Sequence, residues 1–191
     1  MKREILQELF VEQISDIYDA EHQLLEALPK LVEATTSVDL AEALRTHLVE
    51  TQEQVSRLDQ VFGLVGISPQ RKRCKAMAGL VAEGDEAARE QEGDLRDLAI
   101  IAAAQRVEHY EISAYGTARA IAEHLELDDA ADLLHESESE EADADSKLTE
   151  VAEMIYDSDE DDVDNESSVM DGETIGTGSS PSSGTRSNPL I

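Results

Sequence analysis

Apolar residues recur at three- and four-residue intervals along most of the chain, the period of a helix that buries one face. In the first such run Leu6, Phe10, Ile14, Ile17, Leu24, Leu25 and Leu28 share one arc. They predict a helix from about Arg3 to Ala34, with Pro29 kinking its last turns. Thr36-Ser37-Val38-Asp39 offers a turn with cap residues. A second arc of Leu44, Leu48, Thr51, Val55, Leu58 and Phe62 predicts a helix from about Leu40 to Val65 that stops near Gly66. From 67 to 93 the pattern breaks into Pro69, the basic run Arg71-Lys72-Arg73-Cys74-Lys75, a short helix from Ala76 to about Glu92, and Gly93. Two more long helices follow, one from about Asp94 to Leu125 and one, after a turn at Glu126-Leu127-Asp128, to about Tyr156. No Val/Ile/Thr-rich alternating run bounded by turns marks a strand.

The order is hairpin, long connection, hairpin. That predicts an all-α, ferritin-like four-helix bundle of two antiparallel hairpins, with a crossover carrying a short extra helix. After Ile155 the apolar period stops. DSDEDDVDNE is a charge run, and GTGSSPSSGTRSNP has nothing to bury. The expected organisation is a bundle over residues 1–156 and an acidic, Gly/Ser/Pro-rich disordered tail over 157–191.

Several acids break the binary pattern by falling inside the apolar arcs. Glu21 lies at the centre of the first, and Glu141 is central among Ala130, Leu134, Ala144, Leu148, Val151 and Ile155. Both Glu108 and Glu111 are surrounded by Ile100, Ile101, Ala104, Val107, Ile112, Tyr115 and Ala118. Glu50 sits at the edge of the second arc beside His47 and Gln54, whereas Glu53 points nearly the opposite way, towards solvent.

Residues equidistant from a hairpin turn lie at one level. Glu21 and Glu50 are centred between residues 35 and 36, and Glu111 and Glu141 on residue 126, each inside its turn. Glu108 and Asp145 form a further level pair. If the two hairpins match in height, four or more carboxylates converge.

A buried unpaired carboxylate costs several kcal/mol or takes up a proton, and several together repel one another. Arg106 and Arg119 are the cations nearest in sequence along the third long helix. A pair of divalent metals resolves the conflict, and carboxylate with imidazole suits Fe or Mn, two per chain. The expected ligands are Glu21, Glu50, Glu108, Glu111, Glu141 and His47. His22, His124 and His135 read as solvated, Tyr18, Tyr110 and Tyr115 as packing residues, and Cys74 as a small buried hydrophobe. The 71–75 run reads as an internal clamp on an acidic protein.

Charge narrows the setting. Forty-four acids against fifteen basic residues give a formal −29, and the segment from Asp157 holds only nine of those acids and one arginine. The preceding 156 residues therefore still carry −21, with arginines (ten) outnumbering lysines (five) in the whole chain. Such a surface argues for a halophilic cytoplasm and against nucleic acid or anionic membranes as partners. One cysteine excludes an internal disulfide and Cys-rich metal sites, no apolar run spans a membrane, and MKREILQELF lacks signal-peptide character.

Salt should therefore stabilise the fold. Screening shortens the reach of self-repulsion to about 3 Å at 1 M salt. The denaturation midpoint should rise from about 0.1 to about 2 M KCl; a flat or falling midpoint would remove the halophilic reading.

YDAEHQLLEALPKL (18–31), HLVETQEQVSRLDQVFGLVG (47–66), CKAMAGLVAEG (74–84) and AQRVEHYEISAYGTA (104–118) resemble the YciE/YciF family of ferritin-like proteins over roughly residues 5–152. The resemblance implies a small bundle related in fold to rubrerythrin and manganese catalase, a stress-response association, a homodimer and a ferroxidase-like role. Its motif acids map onto Glu21, Glu50, Glu108, Glu111 and Glu141, with His47 and Gln54 beside them.

The chain departs from the general di-iron pattern of Glu-x-x-His, because position 53 is Glu and position 144 is Ala. His47, His109 or Asp145 would have to substitute. Two functions follow: a di-metal oxidoreductase acting on a small oxidant, O2 or peroxide, or a non-enzymatic dimeric bundle with structural or vestigial metal binding.

Overall fold

Turn chemistry sets where the helices begin and end. A computed structural model of the chain describes residues 2–169 as five helices: α1 Arg3–Ala34, α2 Val38–Leu64, α3 Lys75–Glu90, α4 Gly93–His124 and α5 Asp128–Val169. Ser37 caps α2 by accepting from the Leu40 N–H at 3.2 Å. After α2, Gly66 takes φ +73° and lets Ile67 N–H reach back to Phe62 C=O at 3.0 Å, a Schellman closure. The same closure ends α4, where Leu127 N–H bonds Ala122 C=O at 3.0 Å and Glu126 occupies the left-handed position at φ +57°. Pro29 is accommodated inside α1 without ending it.

Helices α1 and α2 pack as one hairpin, and α3 lies against both α1 and α4. Side-chain bonds tie α5 to α4 (Arg119 to Glu138, 2.7 Å) and to α2 (Arg57 to Glu140, 2.6 Å). The result is an all-helical, ferritin-like bundle. No helix of the described residues is long and apolar enough to cross a membrane.

The apolar side chains form two layers rather than one. Leu24, Leu28, Leu44, Met77, Ile101 and Leu148 belong to the first; Phe10, Ile14, Leu58, Phe62, Tyr115 and Leu134 belong to the second. On every long helix the boundary falls at a polar stretch: Glu21 on α1, His47 to Gln54 on α2, Glu108 and Glu111 on α4, and Ser137 and Glu141 on α5. A slab of buried polar groups thus crosses the middle of the bundle.

Several expectations need correction. The last helix runs to Val169 and does not end near Tyr156, so 157–169 is helical where disorder was expected. Backbone hydrogen bonding needs no apolar face, and neither Pro nor Gly interrupts the acidic run before Gly172. The rest of the expected tail, 170–191, lies outside the described residues. Met1–Tyr156 form one compact unit.

The cations nearest the buried acids in sequence do not pair with them. Arg119 bonds Glu138 and Glu123, and Arg106 pairs with Glu83, so their long stems carry both charges outward rather than to the buried acids. The basic run does act as a clamp: Arg71 holds Asp19 at 2.8 Å and Lys72 pairs with Glu12.

Candidate metal centre

Four helices feed the polar slab. One ligand atom each from His47, Glu108, Glu111 and Glu141 lies within 4.8 Å of the other three, and all four residues are buried. The level pair Glu111 and Glu141 is thus together, and His47 brings α2 of the first hairpin to the same height. Glu21 is fully buried beside them and accepts a hydrogen bond from the Tyr115 hydroxyl through Oε1. Glu50 stands at the outer edge, with about a third of its side chain (32%) exposed and Oε2 3.6 Å from His47 Nδ1.

The imidazole sits among carboxylates without bonding any of them. His47 Nε2 is 3.5 Å from Glu108 Oε2, and Nδ1 is 3.9 Å from Glu141 Oε2. These separations are too long for good hydrogen bonds. Eight buried side-chain atoms lack a partner: Glu21 Oε2, both His47 nitrogens, Gln54 Oε1, Glu108 Oε2, both Glu111 oxygens and Glu141 Oε2. Among the described residues, every such orphan belongs to this one slab. Buried polar groups are normally satisfied, so a concentration like this marks a place that something else completes. Hard oxygen donors with one imidazole could hold a divalent metal ion.

Other polar neighbours hold the donors in place. Gln54 Nε2 donates to Glu141 Oε1 and, at 3.0 Å, to Glu140. Arg57 clamps Glu140 at 2.6 Å and reaches Ser137 at 3.2 Å. Tyr110 donates to Asp16 at 2.8 Å and meets Cys74 Sγ at 3.0 Å, so it is more than a packing residue, as is Tyr115. Tyr18 does pack, edge-on against Phe62. His109 stays outside the centre, 69% exposed and 3.7 Å from Asp145. Cys74 is free and buried, and its sulfur also accepts from Met77 N–H at the start of α3.

Burial dominates the electrostatics. It drives the carboxyls of Glu21 and Glu108 up to about 8, with the charge of Glu141 adding at Glu21. Glu111 and Glu141 are raised well above the ordinary range by the same cause. At His47 burial pulls the pKa down, but the surrounding carboxylates Glu50, Glu141 and Glu21 outweigh it and the net shift is upward.

Linkage gives the sign. A group whose folded pKa is raised contributes stability that is complete below its unfolded pKa and is lost as pH rises through the folded value. For Glu21 and Glu108 that window runs from 4.5 to about 8. His47 adds loss above 6.5. The metal-free protein should therefore lose stability from about pH 5 to about pH 8, and Mn2+ should flatten the decline. Asp19 and Asp97 are lowered, and their contributions fade only below 3.8, outside that window. Thermal melts across this range check the trend; a metal-free midpoint that climbed towards pH 8 would contradict it.

Comparison with known proteins places the chain. Protein YciF of Escherichia coli (strain K12) is 44% identical over 154 residues, covering 80% of this chain and 93% of that protein. The crystal structure of the E. coli stress protein YciF matches with a TM-score of 0.77 at 42% identity, covering 80% of this chain and 97% of that one. YcfI from Rhodopseudomonas palustris, whose description proposes a structural role, matches with a TM-score of 0.73 at 45% identity, covering 75% of this chain and 92% of its own. The family described as a domain of unknown function, DUF892, matches residues 5–160. The chain is a member of this YciF-like family.

Proposed function

We propose that the protein is a di-metal carboxylate protein that holds Fe or Mn in the polar slab and handles O2 or peroxide under stress. The observation that carries this reading is the gathering of eight orphaned polar atoms in one buried layer. His47, Glu108, Glu111 and Glu141 would hold one ion, and Glu21 or Glu50 would supply a further carboxylate for a second. When bound, the metals supply the electrons for reducing the oxidant.

The remaining work belongs to the chain. Tyr115 fixes one oxygen of Glu21 and leaves the other free, while Gln54 does the same for Glu141. The two apolar layers bound the slab at either end of the bundle. A deprotonated donor set requires the raised carboxyls to release protons as the ion binds.

The second reading is a non-enzymatic bundle with structural metal binding. It is favoured by the single imidazole at the centre, since Glu53 is 64% exposed and position 144 is Ala. The structural role proposed for YcfI points the same way. Metal analysis of protein purified without chelator, followed by oxygen-electrode measurements on adding Fe2+ or hydrogen peroxide, separates them. About two metals per chain with oxygen uptake on Fe2+ or oxygen release from peroxide is the expected result. Bound metal with neither would favour the structural bundle, and no bound metal would overturn both metal readings.

A further inference from the structure

The seam between α2 and α5 opens beside the centre. A cleft of about 410 Å3 has Asp39, Glu42 and Asp143 at its exposed rim and Glu50, His47 and Glu108 on its inner lining. Five carboxylates (Asp39, Glu42, Glu50, Glu108 and Asp143) face one ammonium, Lys147, which is itself paired with Glu150 at 3.1 Å. His47, only 5% exposed, borders this space with both nitrogens unpartnered. Ala43 and Ala144 form part of the wall, so a larger side chain at either would project into the cleft.

The other cavity that touches Glu108 is different in kind. It lies between α1, α3 and α4, measures about 20 Å3, and apart from Glu108 and Asp85 its lining is apolar. A hydrated cation taking that route would shed its water against Leu24, Leu28 and Leu31 with nothing to replace it.

Building on the metal reading above, we propose that a divalent cation reaches the centre through the α2–α5 cleft. Asp39, Glu42 and Asp143 attract it, and Glu50 passes it inward to His47 and Glu108. Glu50 is suited to that step because it is part exposed, borders the cleft, and lies 3.6 Å from His47. An acidic cleft with low-dielectric walls concentrates cations and raises their association rate, most strongly at low salt.

Co2+ is the probe, added to the metal-free full-length chain. Stopped-flow absorbance reads its association, a chelator chase reads its release, and titration reads its affinity. Ala43→Trp, on the cleft wall and at no ligand position, should slow association and release by the same factor and leave affinity unchanged. Charge variants at the exposed rim keep the test decisive even if that substitution disturbs the helix. Glu42→Gln with Asp143→Asn should slow association and weaken its salt dependence, whereas Lys147→Glu should quicken it. Glu33→Gln with Glu86→Gln, which removes as much charge away from the cleft, should change the rate far less. Rates for the rim variants equal to that control would overturn the cleft as the route. A wild-type chain that took up no Co2+ at equilibrium would overturn the metal reading itself.

Discussion

Glu111→Gln together with Glu141→Gln should raise the melting temperature of the metal-free protein and abolish its response to Mn2+. Both carboxyls are buried, and three of their four oxygens have no partner. An amide keeps the shape and removes the charge whose desolvation raises both pKa values. The gain should widen as pH rises, because the wild-type carboxyls are then forced to ionise in place. For the wild type, Mn2+ at about a hundred times its Kd adds about 2.7 kcal/mol. That corresponds to a rise of roughly 5–10 °C in a domain of this size. Differential scanning fluorimetry of both proteins, with and without Mn2+, measures the two effects together. A double variant that kept the full Mn2+ shift would place the site elsewhere.

A second large effect lies far from the metal centre. Asp97 is fully buried at the start of α4 and accepts from Thr35 Oγ1 (2.6 Å), Thr36 Oγ1 (2.7 Å), and the backbone N–H groups of Thr36 and Ser37 (3.0 and 2.7 Å). One carboxylate thus closes the α1–α2 turn and satisfies amides at the entrance to α2. Burial alone would raise its pKa, but these bonds outweigh that effect and hold it low. Asp97→Ala leaves buried donors without a partner and should cost about 3 kcal/mol or more. The melting temperature should fall by roughly 6–12 °C, with the Mn2+-induced rise unchanged. A loss below about 1 kcal/mol would mean that water replaces the carboxylate without penalty.

The helices were legible because their signals are local. Periodicity placed α1 at its observed bounds, and Ser37 and Gly66 marked a start and a stop. The interior acids were legible for the same reason: Glu21, Glu108, Glu111 and Glu141 occupy positions where a solvated acid cannot be. Equal distance from a turn also set Glu111 beside Glu141. The height of one hairpin against the other was not legible, since packing of two apolar layers decides it. His47 within reach of Glu108 is where that choice shows.

Neutral partners were harder still. Gln54 and Tyr115 carry no charge to flag them, and only the facing helix reveals that they hold Glu141 and Glu21. Asp97 did leave a signal, three and four residues before Ile100 and Ile101 on the same arc. Arg57 likewise lies one residue before Leu58 on α2, yet it is buried and clamps Glu140. The cations that looked nearest, Arg106 and Arg119, instead turn outward, because a long flexible stem can reach water from a half-buried position.

Anomalous scattering from crystals soaked in Mn2+ tests the central claim most directly. The expected result is a strong peak bounded by His47, Glu108, Glu111 and Glu141, with a second towards Glu21 or Glu50. Density confined to exposed acids such as Glu42 or Glu150, with the four buried side chains unchanged, would contradict it.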